Sequence, residues 1–352
     1  MPPEINSNFI PQEGGERPSS FRSISMHALI AVFIFFLIYY IFFDLILVEL
    51  DSNAGYDASR FLYASLNEGF EVNEGKKEQI LIDLLKFSFI AGFPFYCVIL
   101  FYISAFIIIW FGVSLKKTIQ IIIFSPALIV YLETGKDIIV VTSLIAFYSL
   151  FFVNDKFFVK RNILARLFFI TVALIVLAIS VAVKGITLSI YIVLSIIFYL
   201  ENKGRLSFLI ISTVLAVSFV AGLAIRGIVD YENTANLTAF SHKWLISSDI
   251  DLSLIFKAIA RFIIYSSSPI WYWLVAIKNA TSSTFLFFHA WGYLMMLFCF
   301  FKLKWWKIKS YYIAAMAFSL SYPFVHLRYF FTFLVFMCFA QAMLDSVKFK
   351  SL

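Results

Sequence analysis

The stretch FSFIAGFPFYCVILFYISAFIIIWFGV, Phe87 to Val113, carries no charge and stops just short of Lys116-Lys117. Crossing about 30 Å of hydrocarbon at 1.5 Å per residue takes roughly 20 apolar residues, so this run is long enough to span a bilayer. The lysine pair marks the side on which it ends, because Lys and Arg concentrate in cytoplasmic turns. An apolar run closed by a short basic turn recurs along the chain, and that recurrence decides the fold.

Working outward from it, a first run covers about Ala28–Val48. After it come Thr118–Leu132, Ile138–Val153, Ile163–Val183, Ile186–Leu200, Leu206–Ile228, Thr284–Phe301, Tyr311–Val325 and Phe330–Leu344. Basic turns stand at Asn154–Asn162, Glu201–Arg205 and Lys302–Lys309, and the last run ends near Lys348 and Lys350. Leu252–Ile277 is also apolar but holds Lys257, Arg261 and Ser266-Ser-Ser-Pro269. If it crossed, Lys302–Lys309 would fall outside, against the positive-inside rule. It is therefore read as an outer-face re-entrant or interfacial segment. The expected fold is all-α, a polytopic transmembrane bundle of about ten helices with both termini cytoplasmic. Residues 1–25, polar and rich in Pro and Gly, read as a flexible cytoplasmic tail. Residues 26–346 form the membrane domain, with outer loops at about 49–86 and 229–283, and 347–352 form a cytoplasmic C-terminus.

Composition agrees. Hydrophobic residues make up 62% of the chain and charged residues 14%, with a mean hydropathy of +0.92. A soluble domain is about half apolar and a quarter charged, so the expected solvent is a bilayer. The net charge of +7 is not a nucleic-acid signature, because its cations sit in the short turns. The turns placed inside collect about +10 and the outer segments about −3, the asymmetry that insertion requires. Cys97, Cys299 and Cys338 lie far apart in apolar runs and read as small buried hydrophobes.

The cytoplasmic turns explain themselves as topology signals, whereas the outer side holds charges that topology does not require. Asp51, Asp57 and Arg60 follow the first span. Glu133, Lys136 and Asp137 lie between the third and fourth, Lys184 marks the next outer turn, and Arg226 ends the seventh span. His242, Lys243 and Trp244 lie in the second outer loop, and His326, Arg328 and Tyr329 join the last two spans. Taken singly, each reads as an interfacial anchor or half of an ion pair. Taken together, they suit an anionic ligand. Arg offers a planar fork that fits phosphate oxygens, Lys adds a compact charge, and a carboxylate or histidine can take a proton from an attacking hydroxyl.

Four patches carry a family resemblance. Gly55-Tyr-Asp-Ala-Ser-Arg-Phe-Leu-Tyr63 resembles the first outer loop of Wzy-type O-antigen and exopolysaccharide polymerases. Ser125-Pro126 with Gly135-Lys136-Asp137 resembles their Pro-containing hairpin with a Lys-acid pair at its turn. Arg261–Pro269 looks like their outer re-entrant region, and His326-Leu-Arg-Tyr329 resembles the Arg-Tyr that opens their last helices. The resemblance implies an integral-membrane glycosyltransferase of the GT-C kind at the periplasmic face of a bacterial inner membrane, a step of lipopolysaccharide or polysaccharide biosynthesis. Its substrate would be an undecaprenyl-pyrophosphate-linked oligosaccharide repeat unit, polymerised by inverting or retaining glycosyl transfer. By analogy it needs no cofactor, metal or nucleotide sugar, and its partners would be the bilayer and a chain-length-regulating membrane protein. Mapped here, Lys136, Arg226 and Arg328 would hold the pyrophosphate. Asp57, Glu133 and His326 are the candidate catalytic bases. Tyr56, Arg60, Asp137, His242, Trp244 and Tyr329 would bind sugar. Other classes stay open: a flippase for the same lipid-linked sugar, a membrane acyltransferase, or a non-catalytic membrane subunit.

Overall fold

The computed structural model describes residues 21–51, 89–90, 93–125, 127, 136–151, 163–184, 186–226, 253–278, 283–322 and 327–348. Within them the chain is helical, apart from one antiparallel pair of two-residue strands, β1 (Phe89–Ile90) and β2 (Phe93–Pro94). The helices are α1 (Phe21–Asp51), α2 (Phe95–Trp110), α3 (Leu115–Ile123), α4 (Lys136–Leu150), α5 (Ile163–Lys184) and α6 (Ile186–Asn202). They continue with α7 (Phe208–Arg226), α8 (Ser253–Ser266), α9 (Ser268–Lys278), α10 (Ser283–Lys302), α11 (Lys309–Ser321) and α12 (Leu327–Lys348). A 3-10 turn at Trp305–Lys307 joins α10 to α11. The expected tail before residue 21, the basic turn near 154–162 and most of both outer loops lie outside the described residues.

Three expectations change. The apolar run from Phe87 is not one helix, because β1 and β2 occupy its first third and α2 begins at Phe95. Pro94 explains the boundary: it drives the residue before it out of helical geometry, lacks an N–H, and sits well just ahead of a first turn. The third run also breaks early. α3 ends at Ile123 with Phe124 as its C-cap, immediately before Ser125-Pro126. Finally, α1 begins at Phe21 rather than near Ala28, inside the segment read as tail. The Phe21 ring packs against Phe106 and Trp110, and Ile24 is fully buried.

Contacts between helices fix their directions. Define the upper end as the one where α4 and α12 begin. Phe21 meets Phe106 while Phe35 stacks on Phe101 at 4.3 Å, so α1 rises and α2 descends. α2 stops at Gly112, whose φ of 90° only glycine adopts freely and which lets Val113 N–H close on Ile108 O. α4 and α5 are antiparallel and close. Ser143 Oγ lies 3.0 Å from Val176 O and Ser180 Oγ 3.2 Å from Ile139 O, and the two hydroxyls share a hydrogen bond in which one donates to the other. Small hydroxyl residues at such seams let backbones approach without a driving force from water.

α6 descends beside α4, with Tyr148 against Phe198, and α12 descends beside both, with Phe336 against Tyr148 and Phe198. α11 rises against α6, because the Glu201 carboxylate at the foot of α6 accepts from Lys309 N at 2.6 Å and Ser310 N at 2.7 Å. α7 rises parallel to α11. Gly222 lies so near that a Cβ there would fall 2.1 Å from Leu320 O.

α8 and α9 form a broken hairpin. Arg261 and Ala258 meet Ser319 near the top of α11, while Ser266 O accepts from Tyr311 Oη at 2.6 Å lower down, so α8 descends. The chain turns at Ser267 within the bundle, and α9 climbs back against α10, its Tyr272 stacked on Tyr293 at 5.2 Å. The segment read as re-entrant or interfacial is thus two helices broken at Ser267 and packed on α10, α11 and α12.

α4 from Asp137 to Ala146 and α12 from Phe330 to Ala340 are buried throughout and form the centre. The surrounding helices turn large apolar side chains outward: Tyr40 is 72% exposed, Phe208 84%, Leu209 75% and Phe256 72%. Apolar faces of that extent on several helices at once are of the kind that a membrane or a partner protein covers. Length alone says less. Among the described residues, two helices hold an apolar 18-residue window able to cross a membrane, Phe21–Ile38 and Tyr329–Ser346, and the second is 78% buried, as a soluble protein's core helix would be.

Candidate functional site

The upper end gathers the starts of α4, α6 and α12 and the ends of α5, α7 and α11. Lys136 opens α4 one turn before Ile139, whose carbonyl faces Ser180, and Lys184 closes α5 one turn after Ser180, on the same level. Arg226 closes α7 one turn above Gly222, and Arg328 follows the first residue of α12. The backbones of four expected cations therefore converge on one end of the bundle, although they come from segments up to 192 positions apart in sequence (136 to 328).

Directly below lies a polar and aromatic layer. Asp137 sits in the first turn of α4 and is 5% exposed. A carboxylate there is favoured by the helix dipole and the unpaired N–H groups of the first turn. It interacts electrostatically with Tyr191 of α6 and Tyr272 of α9. Tyr191 Oη donates to the Tyr329 carbonyl at 2.8 Å, tying α6 to the start of α12. The Tyr329 ring stacks on Tyr322 at 4.6 Å, and Tyr322 on Phe318 at 5.7 Å. Tyr265 of α8 touches Phe318 and Phe330, and Tyr272 touches Phe331.

Arg261 enters the same region from α8. Its side chain is 1% exposed, and Nε–H donates to Ser319 O at 2.9 Å, the carbonyl two residues before α11 ends. A guanidinium held this deep in an apolar bundle is costly and is placed by function more often than by chance.

Of the sugar-binding candidates, the structure brings Asp137 and Tyr329 into this layer. Tyr56, Asp57, Arg60, Glu133, His242, Trp244 and His326 lie outside the described residues, so the three candidate bases have no placement here. Sequence reasoning gave no role to Tyr191, Tyr265, Tyr272, Tyr322 or Arg261. The tyrosines are hidden because a buried tyrosine in an apolar span reads like any aromatic core residue. Arg261 was visible as a cation inside an apolar run, a signal that went to topology alone.

Among the described residues, no three His, Cys, Asp or Glu side chains converge as a metal site needs. The chain does hold an Asp-x-Asp pair, Asp249-Ile250-Asp251, in the second polar loop and outside the described residues. The absence of a metal is therefore an expectation carried by the resemblance alone. Comparison of the chain with protein-family models, curated proteins and solved structures gave no match.

Proposed function

We propose that this chain is a multi-pass protein of a bacterial inner membrane that polymerises undecaprenyl-pyrophosphate-linked oligosaccharide repeat units by glycosyl transfer at its periplasmic face. The upper end is that face. In this reading the chain crosses the membrane about ten times, with α8–α9 as a re-entrant element. Described cations crowd the lower end, with Arg22, Lys116, Lys117, Lys203, Arg205, Lys302, Lys304, Lys307 and Lys309 there beside Glu201 and Asp345. By the positive-inside rule that asymmetry supports a cytoplasmic lower end, with both termini on that side.

The observation that carries the reading is the convergence of Lys136, Lys184, Arg226 and Arg328 above the buried Asp137 and its tyrosines. Cations at the upper end run against the insertion rule, so they need another use. Holding a pyrophosphate leaving group and neutralising charge as it departs is the use that fits their type. Tyr329, half-buried at the start of α12, would present its ring to a sugar, and the buried tyrosines beneath would hold it in place. The test is reconstitution of purified protein with a lipid-linked repeat unit, products being resolved on a gel. A ladder at repeat-unit spacing is expected, reduced at least about a hundredfold by Arg328→Ala through loss of a charge-stabilising group, and reduced by Asp137→Asn through loss of a carboxylate that accepts from sugar hydroxyls. An undiminished ladder in both variants sinks the site assignment, and no ladder with wild-type protein sinks the reaction.

A second reading, a flippase for the same lipid-linked sugar, is favoured by the two interrupted helical elements. α3 stops inside the bundle, and α8–α9 turns there, as the discontinuous helices of transporters do. Movement of the lipid-linked sugar between leaflets without chain growth would establish it.

A further inference from the structure

A cavity of about 260 Å³ opens at the lower end between α3, α10 and α12, far from the upper site. That is just under the volume range of ligand pockets. Its walls are apolar: Ile121 and Phe124 from α3, Phe298 and Cys299 from α10, and Cys338 and Ala342 from α12. Its rim is not. Lys117 and Lys302 line it, with Lys116 and Lys304 adjacent in sequence and exposed, and Asp345 lies 3.9 Å from the Lys117 Nζ.

The cavity runs along one face of α3, which turns Lys117, Gln120, Ile121, Phe124 and Ser125 toward it at helical spacing. The helix ends at Phe124, and α10 clasps the freed carbonyls, with Trp291 Nε1 donating to Ile123 O at 3.1 Å and Cys299 Sγ lying 3.8 Å from Phe124 O. Both donors come from one neighbouring helix, so the break is held in place. An apolar slot under a mostly cationic rim, at the end of the bundle where the basic turns cluster, complements an amphiphile with an anionic head.

We propose that this cavity binds an anionic phospholipid of the inner leaflet, one acyl chain lying between α3, α10 and α12 and the phosphate meeting Lys302 and Lys117. Basic pockets between helices on the cytoplasmic side have the chemistry for such head groups. The inference rests on the membrane reading but not on glycosyl transfer.

The test uses full-length protein released from carbonate-washed membranes into mild detergent and examined by native mass spectrometry with phosphatidylglycerol or phosphatidylcholine added. One phosphatidylglycerol per chain is expected to survive activation. Binding should fall about fivefold in Lys302→Gln, the effect of one lysine near a lipid phosphate, and be lost in Ala342→Phe, which fills the slot. Lys302→Gln guards against a folding defect in Ala342→Phe, since Lys302 is exposed. Equal retention of the two lipids, or retention unchanged in both variants, overturns the inference. Protein that fractionates with membranes yet binds neither lipid also overturns it, and leaves the membrane reading standing. Protein that does not fractionate with membranes overturns both.

Discussion

Glu201 ends α6, and its two carboxylate oxygens accept from the first backbone N–H groups of α11, 108 and 109 positions away. Those N–H groups have no partner within their own helix, so the contact is a cap supplied by a neighbour. Glu201→Ala should therefore destabilise the purified protein by about 1 kcal/mol, read as a lower melting temperature in detergent, while Glu201→Gln, which keeps one acceptor oxygen and sets an NH2 against the other N–H, should show a large part of the same loss. An unchanged melting temperature in Glu201→Ala would show that the cap contributes nothing. Gly222 makes a harsher demand. Any side chain there meets the Leu320 carbonyl, backbone that cannot rotate away, so Gly222→Ala should separate α7 from α11 and cost about 1–3 kcal/mol. A variant as stable as the parent would mean that the two helices slide apart freely. Neither role is visible in the sequence. Glu201 reads there as part of a polar turn and Gly222 as one more small residue in an apolar run, because both act on partners about a hundred positions distant. Asp137 was legible, since a carboxylate beside a glycine and a lysine at a helix start asks for an explanation wherever it occurs.

At the scale of elements, the α8–α9 hairpin is the feature on which the topology turns. Ser267 Oγ donates to Ile263 O at 2.6 Å and accepts from Trp271 Nε1 at 2.8 Å, so one serine fastens both sides of the break. Because α8 descends and α9 returns, Ser253 and Lys278 should lie on the same side of the membrane and Lys302 on the other. Single cysteines at these positions in a cysteine-free background should give that pattern with an impermeant maleimide in intact cells, the first two labelled from outside and the third only after permeabilisation. Labelling of Ser253→Cys and Lys278→Cys from opposite sides would make the segment a full crossing. The run Ser266-Ser-Ser-Pro269, with Lys257 and Arg261 before it, already told against a crossing in the sequence. What it could not give was depth, since hydropathy does not distinguish a helix lying on a bundle from one inserted into it. The α2 boundary shows the opposite failing: hydropathy saw one continuous run, and Pro94, a local backbone restriction, cut it.

At the scale of the molecule, two faces of different chemistry are joined by a bundle whose flanks are apolar. The lower end is crowded with lysines and carries the lipid-sized cavity. Among the described residues, Lys136, Lys184, Arg226 and Arg328 stand at helix termini of the upper end, above a layer of buried tyrosines, Asp137 and Arg261. Hydropathy made the helical bundle legible, and charge bias carries the orientation proposed for it, because both follow from the cost of moving polar groups through lipid. The tyrosine layer was not legible, since it exists only where six helix termini meet. The reaction proposed for the upper end is tested most directly by sealed proteoliposomes in which protease protection has established that the upper face points outward. A repeat unit on a short, water-soluble prenyl pyrophosphate is supplied to the outside alone, and chain growth is followed on a gel. Growth from outside, with none when the same substrate is confined to the lumen, is the expected result. Growth only from the lumen, or no growth from either side with protein that is folded and correctly oriented, would contradict it.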